Sequence, residues 1–210
     1  MTIFRFSLQH NDSYAFRTCP PHSEHQRIYQ ELVPDMSGAS RSEVHRCDAC
    51  GELTSKWDEP LVGLVIKKRR LDISLTYDGV LIASHRFKST YDANDLSGLV
   101  FRQLPDDRDF FAIHALKVIE FDAERRKTQF ITPCPRCRIF ESVVGATPVI
   151  LKAGSEVGTT EFVRTDLEFG SGDEKHPLLI CGEDVAETLS NAKLNGLELI
   201  AIKEIVGTKT

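Results

Sequence analysis

From Ile3 to Leu8 the chain alternates, with Phe4, Phe6 and Leu8 set between polar residues, which is the period of a strand with one buried face. His10-Asn-Asp-Ser13 then reads as a turn. His25 to Val33 carries a short helical pattern that Pro34 stops, and Ser37-Gly-Ala-Ser40 forms a loose stretch after it. Leu61 to Ile66 and Leu71 to Tyr77 read as strands joined by the basic run Lys67-Lys-Arg-Arg70. Leu116 to Phe121 and Phe130 to Thr132 read as a hairpin around Asp122-Ala-Glu-Arg-Arg126.

One pattern occurs twice. Residues 81–99 align without a gap to residues 179–197, at a constant offset of 98. Leu81, Ile82, Thr90, Leu96, Gly98 and Leu99 are identical to Leu179, Ile180, Thr188, Leu194, Gly196 and Leu197. Each copy predicts a short apolar strand, a helix, a Leu-x-Gly-Leu corner and a returning strand. Val185, Leu189 and Ala192 fall on one helix face, and Phe87 and Tyr91 repeat the first step of that stripe. Ser84 is the expected N-cap of the first helix. Gly98 and Gly196 suit the left-handed backbone that ends a helix and reverses the chain.

The cysteines add chemistry to this pattern. Four of six form two CxxC pairs, Cys47-Asp-Ala-Cys50 and Cys134-Pro-Arg-Cys137, one ahead of each copy. Two intervening residues let a tight turn aim both sulfurs at one ion, so Cys47, Cys50, Cys134 and Cys137 predict a single closed Zn2+ site that is structural rather than catalytic. A redox-active CxxC and unpaired thiols are the alternatives. Gly51 frees the turn after the first pair, and Arg46, Arg136 and Arg138 could offset the net negative charge of four thiolates and one divalent ion. Eighty-three residues separate Cys50 from Cys134, so the two knuckles must meet across folded structure. Cys19, His22 and His25 could form a second metal cluster but lack an evident fourth ligand, and a loop with an unpaired thiol is the plainer reading. Cys181, inside Leu178-Leu-Ile-Cys181, reads as a core residue.

Composition narrows the functional classes. The chain has 210 residues, 41% of them hydrophobic, which is enough for a sizeable core. No long apolar run or secretory leader is visible, so a cytoplasmic protein without membrane association is expected. A net charge of −5 argues against nucleic-acid binding through bulk charge, and Lys67 to Arg70 and Arg125 to Lys127 lack interleaved aromatics. Asp106, Asp107 and Asp109 read as a solvated turn, and Glu183 and Asp184 as a helix first turn. His85 and His114 are isolated, and Gly170-Ser-Gly172-Asp-Glu-Lys lacks the phosphate-loop pattern and reads as a flexible loop.

The expected fold is therefore α+β: a pseudo-duplicated strand–helix–strand unit joined by a structural four-cysteine zinc site. Within one body it divides into an N-terminal segment 1–43, a first CxxC half 44–104, a connecting hairpin 105–132 and a second CxxC half 133–210. The two CxxC knuckles, Gly51, Trp57 and the Leu-x-Gly-Leu corners resemble the bacterial double-CXXCG motif family, across about residues 44 to 202. Arg138 departs from that pattern, standing where the second motif would carry glycine. The resemblance implies a non-enzymatic immunity-type protein that neutralises a cognate protein toxin by stoichiometric binding, with Cys47, Cys50, Cys134 and Cys137 as ligands and no catalytic residues. The alternatives are a zinc-ribbon nucleic-acid-associated or transcription-accessory protein, and a hydrolase using His114 or His85 with nearby acids.

Overall fold

The computed structural model describes residues 2–16, 45–54 and 56–202. Its strands are β1 (Phe4–Leu8), β2 (Ile73–Leu75), β3 (Leu81–Ser84), β4 (Leu99–Gln103), β5 (Phe110–Ala115), β6 (Lys117–Ile119), β7 (Gln129–Pro133), β8 (Phe140–Val144), β9 (Phe162–Ser171), β10 (His176–Cys181) and β11 (Leu197–Ala201). Among the described residues three helices accompany them: α1 (His85–Ala93), α2 (Ala123–Arg126) and α3 (Glu183–Asn191). The fold is thus mixed and rich in sheet. No helix among the described residues is long and apolar enough to cross a membrane. Cys19, His22, His25 and the helix expected before Pro34 lie outside the described residues.

The larger sheet has seven strands, ordered β11-β1-β10-β9-β8-β7 with β6 also on β9. The smaller has four, ordered β2-β3-β5-β4. Period-2 alternation places both sheets around one core. Leu81 and Ala83 of β3 face Leu179 and Cys181 of β10 in the cluster between the sheets, together with Phe87 of α1 and Val185 and Leu189 of α3. The opposite faces are covered too. Ile180 and Val163 pack under Phe121, Val149 and Leu151, while Ile82 packs under Leu61, Leu64 and Ile66. Burial on both faces is why Leu81-Ile-Ala83 and Leu178-Leu-Ile-Cys181 read as unbroken apolar runs.

The two sheets are tied by exchanged backbone. The Ser97 carbonyl accepts from the Phe162 N–H (2.9 Å), so the corner before β4 docks on β9 of the other sheet. The Asn195 carbonyl accepts from Ile73 (3.3 Å), so the corner before β11 docks on β2. Beyond β5, β6 crosses to pair in parallel with β9. Beyond β1, His10 crosses to bridge Leu75 of β2, also in parallel. β1 lies between β10 and β11 as β5 lies between β3 and β4.

Residues 81–103 and 176–201 each run strand, helix, glycine corner and strand, with Gly98 at φ +94° and Gly196 at φ +96°. Ser84 caps α1 as expected, its hydroxyl accepting from the Phe87 N–H at 3.2 Å. Several expected elements differ. Residues 61–66 form turns rather than a strand, because carboxylates take the backbone donors: Asp106 accepts from Gly63 (2.7 Å) and Asp107 from Ile66 (3.0 Å). The strand expected over 71–77 is confined to β2, since Thr76 turns back to bond Val80. β6 and β7 do not form a hairpin: β6 joins β9, β7 joins β8, and Asp122 caps the short α2 between them through the Arg125 N–H (3.0 Å). Three strands, β5, β8 and β9, lie outside the elements expected from pattern.

The glycine corners generate a stability prediction. A Cβ at Gly98 would overlap the Phe162 carbonyl oxygen, and one at Gly196 the Ile73 carbonyl oxygen. Gly98→Ala and Gly196→Ala are each expected to cost about 3 kcal/mol, combining left-handed strain of roughly 1–2 kcal/mol with overpacking of roughly 1–3 kcal/mol. Gly63→Ala, at φ +78° with open space around it, should lose only the first contribution, about 1–2 kcal/mol. Denaturant unfolding of the three variants checks the difference.

Candidate metal centre

Each CxxC pair sits in a knuckle with the same backbone bonds. In the first, the Cys47 N–H donates to the Glu52 carbonyl (2.9 Å) and Gly51 donates back to Cys47 (2.7 Å). In the second, Cys134 donates to Ile139 (2.9 Å) and Arg138 donates back to Cys134 (2.9 Å). Arg46 bridges Leu53 below the first knuckle, and Pro133 pairs with Phe140 below the second, which is therefore the tip of the β7–β8 hairpin. The closing position is left-handed in both, Gly51 at φ +77° and Arg138 at φ +63°. An arginine there bears the strain that Gly51 avoids.

The knuckles face each other. The sulfurs of Cys47, Cys50, Cys134 and Cys137 all lie within 4.8 Å of one another. Cys47 Sγ is 3.9 Å from Cys134 Sγ, and Cys50 Sγ is 3.6 Å from Cys137 Sγ. A tetrahedral ion with metal–sulfur bonds of about 2.3 Å needs sulfurs roughly 3.8 Å apart. The spacing fits a metal ion and is far too long for a disulfide. Backbone N–H groups aim at two of the sulfurs. Those of Cys137 and Arg136 hold the Cys134 thiol down to about 6. Those of Ala49 and Cys50 hold Cys47 below its ordinary value. Desolvation, with neighbouring sulfurs adding to it, pushes Cys50 up to about 12 and raises Cys137. Ionising Cys50 and Cys137 beside the other two sulfurs would need a cation among the four.

Two buried lysines brace the pair of knuckles. Lys175, 5% exposed, donates to Glu52 Oε2 of the first knuckle (2.8 Å) and to the Phe140 carbonyl just after the second (2.6 Å). Lys56 donates to the Asp173 and Lys175 carbonyls, both at 2.6 Å, and desolvation lowers its pKa. Arg46 donates to the Gly51 carbonyl (2.7 Å) and pairs with Asp173 (2.7 Å). Arg136 pairs with Asp48 across the two knuckles. Arg46 and Arg136, expected as charge compensation for the thiolates, are therefore engaged by carboxylates. Residues 172–174, expected as part of a flexible loop, form a 3-10 turn at the centre of this network. Nothing in the local sequence marked Lys56 or Lys175 as buried.

The other candidate residues do not converge. His85 begins α1, with Nε2 2.9 Å from the Arg108 carbonyl. His114 lies toward the other end of β5 beside Trp57, its pKa lowered by desolvation and then by Arg164 and Arg102. Asp107 and Asp109 both pair with Arg69. Cys181 is fully buried, which pushes its thiol up to about 12.

The bracing predicts that Lys175→Ala, which leaves the half-buried Glu52 and the Phe140 carbonyl without their donor, costs about 2–3 kcal/mol. Arg138→Gly should instead add about 1 kcal/mol by removing left-handed strain. Thermal unfolding at fixed metal concentration reads both.

No protein-family model, curated protein or solved structure matches this chain.

Proposed function

We propose that the protein is a non-enzymatic binding module of the immunity type, built on a structural zinc ion, which neutralises a toxin by forming a stoichiometric complex. The observation that carries this reading is the convergence of four cysteine sulfurs within 4.8 Å. Four protein ligands fill a tetrahedral shell and leave no position for water or substrate, so the ion acts as scaffold. Zinc is assigned because a tetrahedral all-thiolate shell suits it and two facing knuckles are its usual holder. The immunity assignment itself rests on the resemblance of the paired CxxC knuckles, Trp57 and the Leu-x-Gly-Leu corners to the double-CXXCG family.

The same reading takes the two halves as copies of one ancestral unit, each supplying half of the metal shell. Several equivalences support it. Ser84 and Gly182 are both helix N-caps, and α1 and α3 both span nine residues. Asp95 and Lys193, again 98 apart, share φ values of +50° and +49°. The knuckles share their bonds at an offset of 87. The nucleic-acid alternative gains little, because two of the four residues of the basic run are committed to acids: Lys68 pairs with Asp12, and Arg69 with Asp107 and Asp109.

About one zinc per chain is expected by elemental analysis, with four thiols protected until a chelator removes it. Four freely reactive thiols in native, metal-free protein would overturn the assignment. Cys47→Ser should abolish both metal retention and cooperative folding, since the binding free energy of such a site is folding free energy. Co-expression with the product of an adjacent toxin gene should rescue growth and yield a co-purifying complex. Turnover of a substrate, or tight nucleic-acid binding at physiological salt, would replace the immunity reading.

A further inference from the structure

The geometry points to a cleft beside the metal centre that receives an arginine side chain of a protein partner. This inference rests on the reading of the chain as a protein-binding module and supplies the chemistry of the contact.

A cavity of about 380 Å³ opens where the first knuckle meets β9. That volume falls within the range of formed ligand sites. Trp57 is its aromatic wall, and Leu53 and Ile139, each just past a knuckle, are apolar. Asp58 and Glu168 supply carboxylates, and the Lys56 side chain lines it. Sorting the charges decides the occupant. The Lys56 ammonium is buried and committed to two backbone carbonyls. Two further lining acids are already answered, Glu52 by Lys175 and Asp173 by Arg46. Glu168 holds the Trp57 indole N–H through Oε1 (3.3 Å), which leaves Oε2 open. Asp58 is exposed and makes no hydrogen bond or ion pair among the described residues.

Asp58 and Glu168 outnumber Lys56, the one lining ammonium without an acid in ion-pair contact among the described residues, so the net charge of the cleft is negative and lies beside an indole. Indole faces attract cations. An apolar stem can lie along Trp57, Leu53 and Ile139 while its charged head reaches the carboxylates. A guanidinium suits this better than an ammonium. It is planar, stacks on aromatic rings, is weakly hydrated and bonds a carboxylate through two N–H groups at once. An anionic guest meets two carboxylates against one ammonium, that of Lys56, whose field already falls on Glu168.

Trp57 is the chain's one tryptophan, so intrinsic fluorescence reports the cleft without a label. Full-length, metal-replete protein titrated with Nα-acetyl-arginine amide should show a saturable change that weakens as salt is raised. The neutral Nα-acetyl-glutamine amide should produce none. Asp58→Asn alters an exposed, unpartnered side chain and should leave the fold intact while weakening the arginine probe several-fold. Asp58→Asn with Glu168→Gln should weaken it at least tenfold, with circular dichroism checking the fold. The absence of a saturable change, or equal affinity in wild type and Asp58→Asn, overturns the cleft. If the probe binds as described but no toxin complex forms on co-expression, the cleft stands and the immunity reading falls. If a toxin complex forms with the same affinity for wild type and Asp58→Asn, the cleft falls and the immunity reading stands.

Discussion

Each sheet depends on backbone supplied by the other. The corner ending at Gly98 belongs to the smaller sheet yet closes on Phe162 of the larger, and the corner ending at Gly196 does the reverse on Ile73. β6 and the stretch at His10 cross in opposite directions between the sheets. With these exchanges in place, the sheets cannot separate without breaking hydrogen-bonded strands. The core between them, rather than either sheet alone, is then the cooperative unit. That arrangement brings the two knuckles together, although they are far apart along the chain. One rises from the segment ahead of the smaller sheet and the other from a hairpin of the larger, and the interlock fixes both.

The bracing beneath the knuckles follows from what such a meeting leaves uncovered. Two tight turns facing each other present carbonyls and a carboxylate to a space that water enters poorly. Lys175 and Lys56 fill that space with N–H donors, bonding Glu52 and the carbonyls of Phe140, Asp173 and Lys175. An ammonium with several donors suits this task because a buried carbonyl left unmatched is costly. The four-sulfur cluster and the lysine network are thus two layers of one joint, one made of sulfur and the other of charge-assisted hydrogen bonds.

Much of this joint was legible in the sequence, and the reasons some parts were not are physical. The knuckles announce themselves because a two-residue spacing is a local requirement of sulfur convergence. The helices and their corners are legible because caps and left-handed glycines are local too. β9 left a usable signal, Val163, Thr165, Leu167 and Phe169 alternating with Arg164, Asp166 and Glu168, but its charged positions disguise a strand that is buried along much of one face. β5 carries Phe110-Phe-Ala-Ile as a continuous apolar run, the mark of burial on two faces, and so shows no alternation. Residues 61–66 misled because apolar spacing alone cannot tell a covering turn from a strand. What decides that is the pair of carboxylates, Asp106 and Asp107, some forty residues away. Lys175 is opaque for the same reason, its partner Glu52 being 123 positions away in the chain.

The joint also has a topological meaning. Cys47 and Cys134 are 87 positions apart, and an ion held by both works as a reversible cross-link across that length of chain. Cross-links act largely on the unfolded ensemble, by removing arrangements it could otherwise explore. On the chain-entropy account, a loop of this size is worth roughly 4–5 kcal/mol. A disulfide achieves the same end only in an oxidising compartment, whereas a thiolate-bound ion achieves it where thiols stay reduced. With an ion bound at the four sulfurs, the protein's resistance to unfolding would become a function of free metal concentration, set by its surroundings as well as by its sequence.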